Sequence, residues 1–352
     1  MDVVLSKIAS ITRNIPLPQR VQLTEHVAAV AGRVLAVEVL EAYPASAQME
    51  LTTGRLATLM KGDVLAVCLG SRRALRGFVG DVPERVAVGD VIHLLSGGGV
   101  VGTCRGGSTH DVGQPIPVRV LGGVLLHGVP VAISDFCTVA SAETLQICAS
   151  LVLVSGTSMN IGKTASVCEL IKQFTAHGHT VAAGKLTGIS RLRDCAAMAD
   201  HGATTVYDFT DAGLPSTTDR SVAVPLAKGI LNALDRTRPD VLIVELGDGL
   251  MGGYGVREIL TDPQIQAATQ VHVLCAGDPV GAKGGADFCT SLGLPVHVVT
   301  GPATDNCMGT DFVRDDLGLR SANARSDGHL LYEHVAALST LARASRSEEH
   351  TS

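Results

Sequence analysis

Tryptophan is absent from the 352-residue chain and aromatic residues together make up 3%, so its cores must be built from Val, Leu, Ile and Ala. Charged residues are also sparse, at 18%, against about 25% in an average soluble protein. The net charge is −6 and Lys and Arg form no long block, which excludes bulk electrostatic binding to nucleic acid or to an anionic membrane surface. No stretch approaches the roughly 18 uninterrupted apolar residues of a membrane span. Met1 to Lys7 also lacks a basic region ahead of an apolar run, so a cytoplasmic protein without a leader is expected. The nine cysteines stand singly with no C-x-x-C pair, a pattern that favours buried thiols in a reducing compartment over a disulfide frame or a zinc knuckle. Abundant instead are apolar residues, 46%, and 39 glycines, the latter pointing to many tight turns and close backbone approaches.

A chain of this length has room for about two domains of roughly 150 residues. From about residue 50 to 133, short Val-rich runs are broken by Gly-Asp turns, as in Lys61-Gly62-Asp63-Val64-Leu65-Ala66-Val67 and Val88-Gly89-Asp90-Val91-Ile92-His93-Leu94. Runs too short for helices and bounded by turn residues read as strands. Residues 1–145 are therefore expected to form a small β-rich barrel or sandwich, with room for one helix over 20–45. Beyond residue 147 the pattern changes. Strand-like runs at Ile147 to Val154, Thr180 to Ala183, Val241 to Val244, Val271 to Cys275 and Pro295 to Val299 alternate with helical stretches. That alternation predicts an α/β domain over 146–345, a mostly parallel doubly wound sheet with helices on both faces. Val167, Leu170, Ile171 and Phe174 share one helical face ahead of Gly178, Pro225 can open another helix, and Leu331, Val335 and Leu338 mark a third. The final segment, Arg346 to Ser352, resembles the in-frame translation of a sequencing adapter and is set apart as a non-native tail.

The chemically informative segment is Leu151-Val152-Leu153-Val154-Ser155-Gly156-Thr157-Ser158-Met159-Asn160-Ile161-Gly162-Lys163-Thr164. It reads as a buried strand, a turn, and Gly-Lys-Thr opening an amphipathic helix, the context a phosphate-binding loop requires. Successive backbone N–H groups and the positive end of the helix face the phosphates there, and Gly162 lets the chain approach them without a Cβ. Gly156, Thr157, Ser158, Met159, Asn160, Ile161, Gly162, Lys163, Thr164 and Ala165 are accordingly the expected nucleotide-binding residues. Lys163 would place a point charge between the β- and γ-phosphates, and the Thr164 hydroxyl would ligate Mg²⁺.

Five residues separate Gly156 from Gly162, and Thr157 stands where a first loop glycine is usual. In this the loop resembles that of the dethiobiotin synthetase branch of P-loop proteins, which includes cobyrinate amide synthases and the molybdopterin-guanine dinucleotide accessory protein. Gly156, Thr157, Ile161, Gly162, Lys163 and Thr164 all match its pattern. Lys185-Leu186-Thr187-Gly188, 22 residues beyond Lys163, is similar to that branch's second lysine segment, which implies that Lys185 reaches substrate or γ-phosphate. Asp240 to Gly249 is similar to its acid-ended strand and Gly-rich loop: Glu245 aligns as the Mg²⁺ or water-positioning acid, while Leu246 and Asp248 depart. Ser158 and Asn160 stand where the synthetase loop is acidic, and the N-terminal β region has no counterpart there, so the acceptor is not carried over. The resemblance covers roughly residues 147 to 300.

Other constellations leave more than one reading open. Asp194, Asp200, Asp208 and Asp211 are either surface acids or holders of Mg²⁺ or a substrate amine, and the polar stretch Asp208 to Asp219 either lines a site or merely crosses over. Gly277 to Asp287 follows a strand, which places it on the ligand face of the sheet. Gly301 to Asn306 either cups a base or is a turn. Arg72, Arg73 and Arg76 could bind an anion bidentately or lie in a solvated loop. Gly97-Gly98-Gly99 is a turn. No Asn-Lys-x-Asp segment appears, which favours ATP over GTP, and neither H-E-x-x-H nor Gly-x-Ser-x-Gly is present. The expectation is a Mg-ATP-dependent enzyme activating a small carboxylate or carbamate by phosphoryl transfer, with Lys163, Lys185 and Glu245 as catalytic residues and Thr164 and Glu245 on the metal. The competing expectation is a nucleotide-dependent switch or accessory protein in cofactor assembly. The family resemblance makes a homodimer plausible.

Overall fold

The computed structural model describes residues 1–43, 47–75, 77–107 and 113–339; Arg76 and the tail at 346–352 lie outside them. The chain divides into two units. The first comprises Met1–Ala140 with two later loops, Gly188–Arg193 and Phe209–Thr218, and the second comprises Ser141–Thr187, Asp194–Asp208 and the chain from Asp219. A single boundary at residue 145 therefore does not capture the two later loops. Among the described residues no helix is long and apolar enough to cross a membrane.

The first unit is β-rich. Strands Ile116–Leu126, Val34–Val39, Val64–Leu69, Val100–Gly107 and Val91–Leu94 pair in that order, and Val91–Leu94 pairs back onto Ile116–Leu126. The pairings thus close a ring, which leaves these five strands without open edges. Ile116–Leu126 pairs with a neighbour on each edge, and its pairing with Val34–Val39 shifts register between Val120 and Gly122, a bulge that bends the strand. Val34, Leu35, Val37, Leu65, Val67, Val100, Val118 and Val120 fill the core. The helix expected over 20–45 does not form: Arg20–Thr24 and Val34–Val39 are strands. Arg20 to Leu23 alternate exposed and buried, a period of two that a helix cannot bury.

The second unit contains a seven-stranded sheet whose strands all run parallel. Its strands are β1 (Ser150–Gly156), β2 (Val181–Thr187), β3 (Thr205–Asp208), β4 (Val241–Leu246), β5 (Thr269–Cys275), β6 (Val298–Thr300) and β7 (Arg320–Ser321), ordered β3-β2-β4-β1-β5-β6-β7. The helices are α1 (Lys163–Ala176), α2 (Leu192–Asp200), α3 (Ala223–Asp235), α4 (Val256–Thr261), α5 (Pro263–Ala268), α6 (Pro279–Ser291), α7 (Cys307–Asp315) and α8 (Gly328–Ala336). Alternate residues of the strands serve the two faces. Val152, Val154, Ile243 and Val273 pack with Val167, Leu170 and Phe174 of α1 and Leu331 and Val335 of α8. On β2, Gly184 leaves room for Ile230 and Leu234 of α3, and Leu274 of β5 lies against Gly285 of α6. The expected α/β architecture is thus present, with α3 opening two residues before Pro225 and Gly178 ending α1 at φ 87°, a left-handed value suited to glycine.

His272, in the middle of β5, is fully buried and its Nε2 lies 2.7 Å from Ser155 Oγ. Burial pushes its pKa down to about 4 from 6.5, with the neighbouring His297 acting in the same direction. Its contribution to stability is therefore complete above the unfolded value of 6.5 and lost as pH falls from there through 4. We expect the unfolding free energy to drop by about 3 kcal/mol across that interval on account of this group. Denaturant titrations from pH 7 downward, compared with His272→Gln, check it: the variant should show a shallower slope, and an equal slope would assign the loss to other groups.

Candidate functional site

Gly156 ends β1 and Lys163 begins α1, so Gly156 to Gly162 form a loop at the carboxyl edge of the sheet. Two residues turn the loop through left-handed conformations, Asn160 at φ 59° and Gly162 at φ 93°. Packing determines the other end. A Cβ on Gly156 would come within 2.9 Å of Lys163 Cδ, so glycine there lets the lysine stem lie across the start of the loop. Lys163 Nζ donates to Ser158 O at 2.7 Å, while Thr157 N donates to Cys275 O at 2.9 Å and anchors the loop to β5. Burial holds the Lys163 pKa below its ordinary value, opposed by the carboxylates of Glu245 and Asp248. A cation kept partly desolvated in this way is one that an incoming phosphate would stabilise.

The acid strand lies directly beside this loop because β4 is the neighbour of β1, with Glu245 opposite Val154. Glu245 is 2% exposed, and its Oε2 accepts from Thr164 Oγ1 at 2.9 Å. On its other side Glu245 stands opposite Lys185 of β2, whose Nζ lies 3.9 Å from Glu245 Oε1. Lys185 also forms an ion pair with Asp194 in the first turn of α2. Burial alone would lower the Lys185 pKa, but Glu245 and Asp194 outweigh it and raise the value, so this lysine is a fixed cation. The hydroxyl of Thr164 and the carboxylate of Glu245 are hard oxygen donors that converge beside the phosphate loop, a set that fits Mg²⁺.

The loop after β4 completes the site by close backbone approach. A Cβ at Gly247 would lie 2.2 Å from Thr187 O and 2.9 Å from Lys185 Cε, and one at Gly249 would lie 2.9 Å from Thr157 O. Thr187 Oγ1 donates to Gly247 O at 2.8 Å and Leu250 N to Gly156 O at 2.9 Å. These bonds tie the loop both to the lysine strand and to the phosphate loop. A further cleft opens on the other flank, where Asn160, Ile161, Gly162, Ala165 and Ser166 face Gly301, Pro302, Asp305, Asn323 and Arg325.

The structure thus brings Lys163, Thr164, Lys185 and Glu245 together with the loop residues Gly156 to Ala165. The remaining candidates have other partners. Asp194 holds Lys185, and Asp208 accepts from Cys195 Sγ at 3.3 Å. Asp211 belongs to the first unit, where it pairs with Arg13 at 2.9 Å. Asp278 caps α6, accepting from Gly281 N at 2.7 Å. Arg72 donates to Leu95 O and Arg73 pairs with Asp81, so both are engaged within the first unit instead of forming a free anion clamp. Two roles escaped the sequence: Asp248, read as a departure from a pattern, acts on Lys163, and Asn323 was not singled out at all. An acid just beyond a parallel strand was the available signal for the first; the second had none.

No family model matches the chain, and no curated protein does. Among solved structures, the signal recognition particle receptor FtsY from Elizabethkingia anophelis is similar at 15% identity and a TM-score of 0.37, over 55% of this chain and 67% of that one. The cell division protein FtsY from Thermotoga maritima is similar at 17% identity and 0.37, over 58% and 74%. A DUF1611 family protein from Anabaena variabilis is similar at 17% identity and 0.37, over 55% and 62%. These likenesses lie with the α/β part of the chain, where the glycine-rich loop joins a strand of a wholly parallel sheet to a helix.

Proposed function

We propose that the second unit binds a Mg²⁺-complexed nucleoside triphosphate on Gly156 to Ala165 and transfers its γ-phosphoryl group to a small carboxylate or carbamate, as the dethiobiotin synthetase-like loop implies. The observation that carries this reading is the second buried lysine. Holding a nucleotide requires the loop, Lys163 and a metal site, whereas Lys185, fixed between Asp194 and Glu245, adds a cation on the far side of the metal-site acid. Two lysines flanking one site suit the charge that spreads over a phosphoryl group in transit. Thr164 and Glu245 would hold Mg²⁺, which would neutralise charge on the bridging phosphate oxygens. Lys163 would orient the β- and γ-phosphates, and Lys185 would face the transferred group or the acceptor carboxylate. Nothing at the phosphates distinguishes ATP from GTP, since both carry the same triphosphate.

Phosphate release measured with Mg-nucleotide and a pool of small carboxylates and amines tests the proposal. Release that depends on one small molecule is the expected outcome. Release indifferent to every acceptor would favour the second reading, a partner-driven switch. That reading has its own support in Met251, Val280 and Met308, exposed apolar residues that follow β4, β5 and β6 in the chain.

A further inference from the structure

The cleft beside the phosphate loop carries hydrogen-bonding groups of markedly unequal availability. Asn323 is buried and its amide is fully used. Its Nδ2 donates to Asp305 Oδ1 at 2.8 Å, to Thr304 Oγ1 at 3.3 Å and to Gly301 O at 3.4 Å, and its Oδ1 accepts from the backbone N–H groups of Arg325 at 2.9 Å and Ser326 at 3.2 Å. Nearby backbone donors are committed as well. Ala303 N donates to Ala276 O at 2.9 Å and Ala324 N to Thr300 Oγ1 at 3.2 Å, while Pro302 has no N–H. What this wall presents to a ligand is therefore the exposed carboxylate of Asp305, held at one oxygen by Asn323, beside the exposed guanidinium of Arg325, a donor for a base carbonyl.

A nucleotide whose phosphates lie on Gly156 to Thr164 would bring its base to this flank, where Ile161 and Gly162 form the facing wall. Guanine offers two adjacent donors, N1–H and the exocyclic amine at C2, which match the two oxygens of a carboxylate. Adenine offers one amine beside the N1 lone pair, and that lone pair would oppose the carboxylate oxygens. We propose that this cleft selects a guanine base, with Asp305 as the specificity-determining residue and Asn323 as the residue that positions it. The inference rests on the phosphate-loop reading above and replaces the expectation of ATP. The missing Asn-Lys-x-Asp segment is no obstacle, because the asparagine and the aspartate reach the cleft from two separate loops, after β7 and after β6.

The experiment is equilibrium binding of Mg-GTP, Mg-ATP and Mg-XTP to the full chain and to Asp305→Asn and Lys163→Ala. The wild type should prefer GTP over ATP by roughly 10- to 100-fold, the discrimination of one bidentate pair. Asp305→Asn should lose that preference and gain affinity for XTP, whose C2 carbonyl accepts from the new amide. Equal or tighter binding of ATP by the wild type, abolished in Lys163→Ala, overturns the base assignment and leaves the phosphate loop intact. An unchanged GTP-to-ATP ratio in Asp305→Asn also overturns it. Failure of the wild type to bind any of the three overturns the phosphate reading and this inference together.

Discussion

Lys163→Ala is expected to weaken binding of a Mg-nucleoside triphosphate and to slow phosphate release by roughly 100- to 1,000-fold, the scale seen when one preorganised charged or polar group is removed from a developing anion. The protein itself should be no less stable. Without a ligand, Lys163 is a buried cation whose charged form is disfavoured by desolvation, and its one hydrogen bond runs to Ser158 O at 2.7 Å. Removing it relieves that desolvation and withdraws a cation from Glu245 and Asp248, two opposed effects that should leave the unliganded melting temperature about level. A ligand present at about 100 times its Kd stabilises the fold by about 2.7 kcal/mol, and that ligand-induced rise should vanish in the variant. Thermal melts with and without Mg-nucleotide measure both quantities. A variant that melts higher with nucleotide by the wild-type increment would show that the phosphates bind elsewhere.

The second large effect concerns Lys185. Lys185→Ala should slow phosphate transfer by roughly 100- to 1,000-fold while changing nucleotide affinity less than about tenfold, because Lys163 and the loop backbone hold the ground state. Its loss also leaves buried Glu245 and half-buried Asp194 without their cation, so a lower melting temperature is expected alongside the rate loss. Asp194→Asn separates the two contributions. It keeps Lys185 but weakens its anchor, and should cost roughly tenfold in rate with nucleotide affinity unchanged. Single-turnover rates and binding constants measured on the same preparations decide the matter: parallel losses in rate and affinity would make Lys185 a binding residue with no further part in transfer.

The legibility of this site in the sequence followed the range over which each signal acts. The phosphate loop was readable because strand, turn and helix are contiguous, and the glycine, lysine and threonine within them have local physical reasons to be there. Glu245 was readable as an acid at the end of an apolar strand, and Lys185 through the resemblance of its segment to the second lysine segment of the dethiobiotin synthetase branch; the parallel sheet then sets β2, β4 and β1 side by side. Asp194, by contrast, is one acid among several on a helix, and only the docking of α2 turns it toward Lys185. Asp248 and Asn323 depend on loops folded back by left-handed turns and side-chain bonds, which no periodicity announces. In the first unit the strands were legible from Val-rich runs and Gly-Asp turns. The absent helix over 20–45 was not, since Val34–Val39 is buried on both faces and shows no alternation to exclude a helix. Nor was it legible that Gly188–Arg193 and Phe209–Thr218 belong with the first unit, because membership there comes from contacts far apart in the chain.

The most direct test of the account is a crystal structure of the full chain with Mg²⁺ and a non-hydrolysable nucleoside triphosphate. The account predicts phosphates wrapped by the N–H groups of Gly156 to Thr164, the metal on Thr164 with Glu245 beside it, and the γ-phosphate reached by both Lys163 and Lys185. A nucleotide bound away from this loop, or phosphates in the loop with Lys185 turned from them onto Asp194, would contradict it.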